Sequence, residues 1–316
     1  MESKIKIGIS SCLLGNKVRY DGSHKWDHFI TDTLGKYVEF VPVCPEVEAG
    51  LGIPREAMHL VGDIRNPRLV TNRSGIDHTE RMIRWAGLRV KDLEEEGLSG
   101  FIFKSDSPSS GMERVKVYNE KGMSLKKGVG IFARIFMDHF PLLPVEEEGR
   151  LHDPVLRENF IESLFVFKRW REMLAQKKRR GGLVDFHSRH KLMLMAHSPK
   201  HYQVMGKWVA QAKAVSLPEL FDHYQELLSE ALRQKQTAKN HTNVLLHLLG
   251  YFKNDLSPDE KQEPIEIFEN YTNGYLPLIV PVTLINHYVR KYGQEYLQDQ
   301  YYLKPHPLEL QLRNHV

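Results

Sequence analysis

Residues 5–10, Ile-Lys-Ile-Gly-Ile-Ser, alternate apolar and polar side chains, the period-two pattern of a strand with one buried face. Val38-Glu39-Phe40-Val41-Pro42-Val43 and Gly100-Phe101-Ile102-Phe103 read as two further strands. Between these two, apolar positions at Met82, Ile83, Trp85, Ala86 and Leu88 predict a helix over 76–96, closed by Gly97. A second helix is expected over 129–139. Strands alternating with helices predict an open, mainly parallel, Rossmann-like α/β sheet. In such sheets ligands sit outside the carboxyl ends of the strands. The segments after the three strands hold Ser10-Ser11-Cys12, Cys44-Pro45-Glu46, and the run from Lys104 to Gly111. Three loops distant in sequence are therefore expected to converge on one crevice.

The pattern changes at Pro144-Val145-Glu146-Glu147-Glu148-Gly149. Beyond it the periodicity is helical, over 154–175, 184–212, 218–236, 242–253, 258–271 and 281–292, with a break expected at Gly181-Gly182 and a turn at Asn273-Gly274. The expected organisation is an α/β domain over 1–148 and an all-α domain over 149–316. A length of 316 residues suits two domains, each able to bury its own core. No run approaches the ~20 apolar residues of a membrane span. Met1-Glu2-Ser3-Lys4-Ile5 has no apolar leader region, so a cytoplasmic location is expected.

Two cysteines are too few for a disulfide framework. Cys12 and Cys44 each follow an apolar strand and precede turn residues. A thiol placed there suits a metal ligand or a nucleophile, because backbone donors at a helix start lower its pKa. The alternative is that both are small buried apolar residues. A separation of 32 residues matches no metal motif, and nothing of the Cys-x-x-Cys kind supports a redox pair.

Five segments in order carry a more specific signal: Ser11-Cys12-Leu13-Leu14-Gly15, Val18-Arg19-Tyr20-Asp21-Gly22, Val43-Cys44-Pro45-Glu46-Val47, Gly50-Leu51-Gly52-Ile53-Pro54-Arg55, and Lys104-Ser105-Asp106-Ser107-Pro108-Ser109-Ser110-Gly111. Together they resemble the thiouracil desulfidase (TudS-like) family over roughly residues 4–145. The segment Phe186-His187-Ser188-Arg189-His190-Lys191-Leu192-Met193-Leu194-Met195-Ala196-His197 resembles the YbgA-like domain often fused to such proteins. The first resemblance implies a [4Fe–4S] cluster held by three protein ligands. One iron is left open for the sulfur of a thiolated pyrimidine such as 2-thiouracil, which is converted to uracil and sulfide. Cys12 and Cys44 match two of the ligands. Ser110 stands in the position of the third cysteine, and a serine hydroxyl is far harder to deprotonate than a thiol. Either the serine was introduced to trap an inactive or apo form, or a natural sequence uses a serine ligand or has lost the activity. The resemblance further implies Glu46 and Ser107 as catalytic residues, with Ser105, Arg19, Tyr20 and Asp21 lining the substrate pocket. Arg19 or Arg55 could instead pair structurally with Asp21 or Glu46.

His187, His190, His197 and His201 fall within about 80° of one helix face at 100° per residue. The simplest expectation is a polar face; only His197 and His201 have the one-turn spacing of a metal pair. Lys168, Arg169, Arg171, Lys177, Lys178, Arg179 and Arg180 crowd one window of a chain whose net charge is only +4. They read as a solvated helix end or as a phosphate-binding patch, which would let the basic helical domain present a thiolated RNA to the cluster. The competing function is a cluster-free module, for small molecules or nucleic acid, that has lost activity through Ser110.

Overall fold

The computed structural model describes residues 4–176 and 178–315; Met1 to Ser3, Lys177 of the basic window and Val316 lie outside the described residues. The chain divides into two compact units after His152.

In the first unit, chain order runs β1 (Ile5–Ser10), β2 (Val38–Val43), α1 (Pro45–Glu48), β3 (Met58–Gly62), β4 (Pro67–Thr71), α2 (Thr79–Glu95), β5 (Phe101–Phe103), β6 (Val115–Tyr118), β7 (Ser124–Gly128), α3 (Ile131–His139) and β8 (Val145–Glu147). One sheet has the order β2-β1-β5-β8 and every pairing in it is parallel. The expected parallel α/β sheet is present, and its three foreseen strands are neighbours, so the loops leaving them share one edge. Its floor is aromatic. Phe132 and Phe136, four residues apart on α3, pack on Phe101 and Phe103, with Phe101 to Phe136 centroids 4.6 Å apart. Along α2 the buried residues are Met82, Ala86, Val90 and Leu93, a three-to-four spacing that turns one face to the sheet. Ile83 and Leu88, apolar positions of the predicted helix, face outward.

Two features were not foreseen. A second, mixed sheet of order β4-β3-β6-β7 pairs β3 with β4 and β6 with β7 antiparallel, and β3 with β6 parallel. It buries Leu60, Leu69, Val115 and Val117 against Met82 and Ile131. The acidic stretch at 144–149, where the pattern changes, contains the edge strand β8, in register with β5. Glu146, Glu147 and Glu148 are buried because each carboxylate has donors: Arg150 for Glu146, the Met112 amide for Glu147, and Lys104 and Ser105 for Glu148.

The second unit is helical as expected: α4 (Pro154–Ala175), α5 (Arg180–His197), α6 (Pro199–Ala210), α7 (Leu217–Leu232), α8 (Ala238–Leu249), α9 (Pro258–Thr272), α10 (Ile279–Lys291) and α11 (Glu295–Gln298). Asp153, Ser198, Ser216, Thr237 and Ser257 each accept backbone N–H groups at a helix start. Ser198 explains why the expected helix over 184–212 is two helices: it is extended at φ −157°, caps α6, and is followed by Pro199, which has no N–H to continue α5. Gly181 and Gly182 are not a break; they lie in the first turn of α5.

The histidine stripe is not a polar face. His187, His190 and His197 are 7%, 1% and 2% exposed. His190 Nδ1 bonds the Phe186 carbonyl at 2.7 Å and its Nε2 accepts from Arg169 Nε at 3.0 Å. His197 bonds Gln234 O and Glu162 Oε1, both at 2.9 Å. Core packing and internal hydrogen bonds consume the stripe. The basic window is similarly drawn inward: Arg169 also donates to Pro305 O, Arg180 donates to Ala212 O and Val215 O, and Lys168 pairs with Glu172. Lys178 and Arg179 are exposed.

Candidate active site

At the carboxyl edge of the parallel sheet, β1 runs into a 3₁₀ turn, Ser11–Leu14, that carries Cys12. The turn is held by two bonds to the Cys12 carbonyl, from Lys25 N at 2.9 Å and Gly15 N at 3.3 Å. β2 ends on Cys44, whose extended backbone caps α1, with Pro45 in the first helical turn. The Cys44 amide donates to Glu48 Oε1 at 2.8 Å, and Arg89 holds the other oxygen of Glu48 at 3.0 Å. β5 leads into Lys104 to Gly111. Lys104 N donates to Ser10 Oγ at 2.9 Å, which ties this loop to the end of β1.

The serine run is anchored from beneath by the start of α3. Gly130 N donates to Gly111 O at 2.7 Å, Ile131 N to Pro108 O at 3.2 Å and Ala133 N to Ser109 O at 3.1 Å. This approach needs a glycine at 130: a Cβ there would lie 2.5 Å from the Ser109 carbonyl carbon and oxygen and 2.7 Å from Ser110 N. Ser107 Oγ accepts the amides of Ser109 at 3.3 Å and Ser110 at 3.1 Å, closing the turn that presents Ser110.

These loops enclose a cavity of about 330 Å³, within the usual range for small-molecule sites. Cys12, Cys44, Ser110, Glu46, Ser105 and Ser107 line it, as do Arg19, Tyr20, Arg55 and Lys104. The structure thus brings together nearly every residue singled out from the sequence. Asp21 is the exception: it is not among the lining residues. It accepts from Ser23 Oγ at 2.6 Å and Ser23 N at 3.0 Å, which hold its carboxyl below the usual range. Both structural pairings are present, Arg19 with Asp21 at 3.8 Å and Arg55 with Glu46 at 3.7 Å.

Glu46 is sheltered, and its two oxygens differ. Oε1 accepts a short 2.5 Å bond from Ser109 Oγ, whereas Oε2 lies 3.6 Å from Cys44 Sγ. Burial pushes the Cys12 thiol up to about 11, opposed by the Lys104 ammonium and reinforced by Glu46. Burial and then Glu46 push Cys44 up to about 12. Without a metal, both sulfurs carry their protons at neutral pH. Lys104 reaches Ser105 O at 2.9 Å and Ser105 Oγ at 3.0 Å and pairs with Glu148.

The family described as 2-thiouracil desulfurase matches residues 7–148, and a family described as a protein of unknown function (DUF1722) matches residues 191–307. The chain is 33% identical over 136 residues to the uncharacterized protein YbgA of Escherichia coli K12, covering 43% of this chain and 80% of that protein. It is 35% identical over 109 residues to the uncharacterized protein YbbK of Bacillus subtilis 168, covering 33% and 71% respectively. The chain belongs to the 2-thiouracil desulfurase family in its first half and to the DUF1722 family in its second. Among solved structures it is similar to a [4Fe-4S]-dependent thiouracil desulfidase, TudS, at 33% identity and a TM-score of 0.40, covering 48% of this chain and 95% of that one.

Three residues in the desulfurase half escaped the sequence reading. Ser109 is fully buried and orients Glu46; within a serine-rich run nothing distinguishes it from its neighbours. Lys104 and Glu148 form an ion pair at the cavity edge, and the sequence around Glu148 shows only a change of pattern. Among the described residues, no cluster of three His, Cys, Asp or Glu side chains could hold a metal, and the third position of the candidate set is a serine. No helix there is long and apolar enough to cross a membrane.

Proposed function

We propose that residues 1–148 remove the sulfur of a thiolated pyrimidine base, converting 2-thiouracil to uracil and hydrogen sulfide on a [4Fe–4S] cluster held by Cys12, Cys44 and Ser110. The observation that carries this reading is convergence. Three loops separated by 32 and 66 positions place two thiols, a hydroxyl and a carboxylate around one cavity at the carboxyl ends of adjacent parallel strands.

The donor set supports the cofactor in two ligands, the Cys12 and Cys44 thiols that line the cavity, and departs from it in the third, the Ser110 hydroxyl. Cys12 and Cys44 would hold two irons and Ser110 a third, and each thiol gives up a proton on binding. A bound cluster supplies a soft iron for the soft thiocarbonyl sulfur. In the net reaction a C=S bond breaks, a C=O bond forms from water, and both protons of the water leave with the sulfur, so no oxidant or reductant is consumed. Glu46 is the proton carrier: Oε1 is fixed by Ser109, and Oε2, approached by the Cys44 thiol at 3.6 Å and Arg55 at 3.7 Å, would take a proton from water or give one to the ring once the thiol has lost its own proton on binding. Ser107 positions Ser110 through the two amides it accepts. Arg55 and Arg19 form the cationic wall, with Tyr20 beside them and Ser105 pinned by Glu148. Both cysteines are free thiols, which suits a reducing cytoplasm.

The deciding experiment is anaerobic purification of the chain and of its Ser110→Cys variant. About four irons per chain and sulfide release from 2-thiouracil are expected of Ser110→Cys, with lower iron occupancy in the parent and none in Cys12→Ala or Cys44→Ala. A Ser110→Cys protein that takes up no iron and releases no sulfide overturns the reading. A colourless chain that binds 2-thiouracil without turnover would favour a binding module. Thiolated RNA as the carrier of the base would engage the exposed Lys178, Arg179 and Lys200 of the helical half. Binding of tRNA by the full chain that does not weaken with salt, or no binding, removes that form of substrate.

A further inference from the structure

The helical unit has a cavity of its own, mostly apolar with a few polar groups at its wall. It measures about 170 Å³ and opens beside Glu158, Gln236, His241, Tyr271, Leu276 and Leu278. An apolar cavity of about 150 Å³ accepts one benzene ring, so the space suits a single six-membered ring.

Its polar groups have defined directions. Tyr302 is fully buried, and its hydroxyl lies 3.0 Å from His241 Nδ1. That hydroxyl keeps its proton, since burial raises it well above the usual tyrosine range, and among the described residues Nδ1 is the acceptor within its reach. The hydroxyl therefore donates to Nδ1. His241 itself is held neutral by burial, at about 4, so its one ring proton is on Nε2. Gln236 is fixed the other way round: its amide nitrogen donates to Glu162 Oε1 at 2.7 Å, leaving its carbonyl oxygen as an acceptor. Neither His241 Nε2 nor the Gln236 carbonyl has a hydrogen-bond partner among the described residues, although both side chains line the cavity. Glu158 adds a carboxylate paired with Arg313 at 3.0 Å, with His315 3.1 Å from its other oxygen. Leu276 and Leu278 give flat apolar walls.

We propose that this cavity binds a small uncharged cyclic amide or ureide, with a ring carbonyl accepting from His241 Nε2–H and a ring N–H donating to Gln236 or Glu158. A carboxylate ligand would oppose Glu158, and an ammonium would meet the His241 donor. A purely apolar ring would leave His241 and Gln236 unsatisfied. The inference stands on this cavity alone and does not depend on the chemistry proposed for the first unit.

Equilibrium dialysis of labelled uracil against the full-length Cys44→Ala chain tests it, since that variant removes a cluster ligand from the first site and the Leu276→Trp comparison reads the second cavity alone. Saturable binding is expected. It should weaken at least about tenfold in His241→Phe, which removes the donor, and in Leu276→Trp, which fills the space without touching the polar network. 1,3-Dimethyluracil, which keeps the ring and loses both N–H donors, should compete at least about tenfold less well. No uracil binding to the Cys44→Ala chain overturns the proposal, as does binding that Leu276→Trp leaves unchanged. Absence of desulfuration in the first unit would leave these outcomes as they are.

Discussion

Gly130→Ala tests whether the serine run is held by the start of α3 in the way described. The added methyl would sit 2.5 Å from backbone atoms of Ser109, and these are main-chain atoms that no rotamer change can move. To reach even 3.0 Å the loop or the helix must retreat by about half an ångström, which breaks some of the bonds from Gly130, Ile131 and Ala133 to the loop carbonyls. Overpacking of this kind costs roughly 1–3 kcal/mol. For a unit of this size that is roughly 2–12 °C in Tm. Ser110 rides on the displaced segment, so sulfide release in the Ser110→Cys background should fall by about tenfold or more at a temperature where the protein is folded. Gly182→Ala is the control. Gly182 lies in the first turn of α5 with nothing within 4 Å of its would-be Cβ, so alanine there should stabilise by up to about 1 kcal/mol through helix propensity. Differential scanning calorimetry of the two variants should give shifts of opposite sign. A neutral or stabilised Gly130→Ala, with sulfide release intact, would refute the anchoring role assigned to α3.

The thiols of the metal-free chain should be sluggish. With Cys12 at about 11 and Cys44 at about 12, iodoacetamide labelling at pH 8, read by mass spectrometry, should be far slower than for an unperturbed thiol and should accelerate as pH rises toward 11; rapid labelling at pH 7 would contradict the burial argument. The same titration makes cluster loading pH-dependent, favoured as pH rises, because two protons are released on binding. In the helical unit, Arg313 is buried between Glu158 and Glu162, with contacts of 3.0 and 3.1 Å. Arg313→Met leaves both carboxylates short of a partner, and urea unfolding should show a loss of about 3–5 kcal/mol; a loss under about 1 kcal/mol would mean that the network is dispensable. Burial opposes ionisation of Glu162, yet the hydrogen bond from His197, with its charge and that of Arg313, holds the carboxyl well below the usual carboxylate range. Its contribution is therefore full above the unfolded pKa of about 4.3 and is lost as pH falls below it. The helical unit should become steadily less stable to urea below pH 4, and Glu162→Gln should flatten that slope.

The sequence by itself determined what local pattern and ligand chemistry can write. Alternation in Ile5–Ser10 and the apolar run to Val43 specify strands, and in a parallel sheet the residues after each strand must emerge at its carboxyl end. Cys12, Cys44 and Ser110 could therefore be expected at one crevice before any coordinates. Caps followed by proline, Asp153-Pro154, Ser198-Pro199 and Ser257-Pro258, are written locally too, yet the periodicity over 184–212 runs through the second of them. Tertiary structure decided the rest. β7, Ser124–Gly128, is exposed at four of its five positions and carries no periodicity of its own; it is a strand because β6 offers it hydrogen bonds. The stretch holding β8 shows only a change of pattern until Lys104, Ser105, Arg150 and the Met112 amide satisfy the carboxylates of Glu146, Glu147 and Glu148. His187, His190 and His197 lie on α5, while His201 falls on α6 beyond the break at Ser198, and spacing along one helix gives only the side they face. Whether that side meets water or Tyr224, Arg169 and Glu162 depends on residues far away in the chain. Burial is a property of the partners that cover a residue, so a chain read one residue at a time cannot contain it.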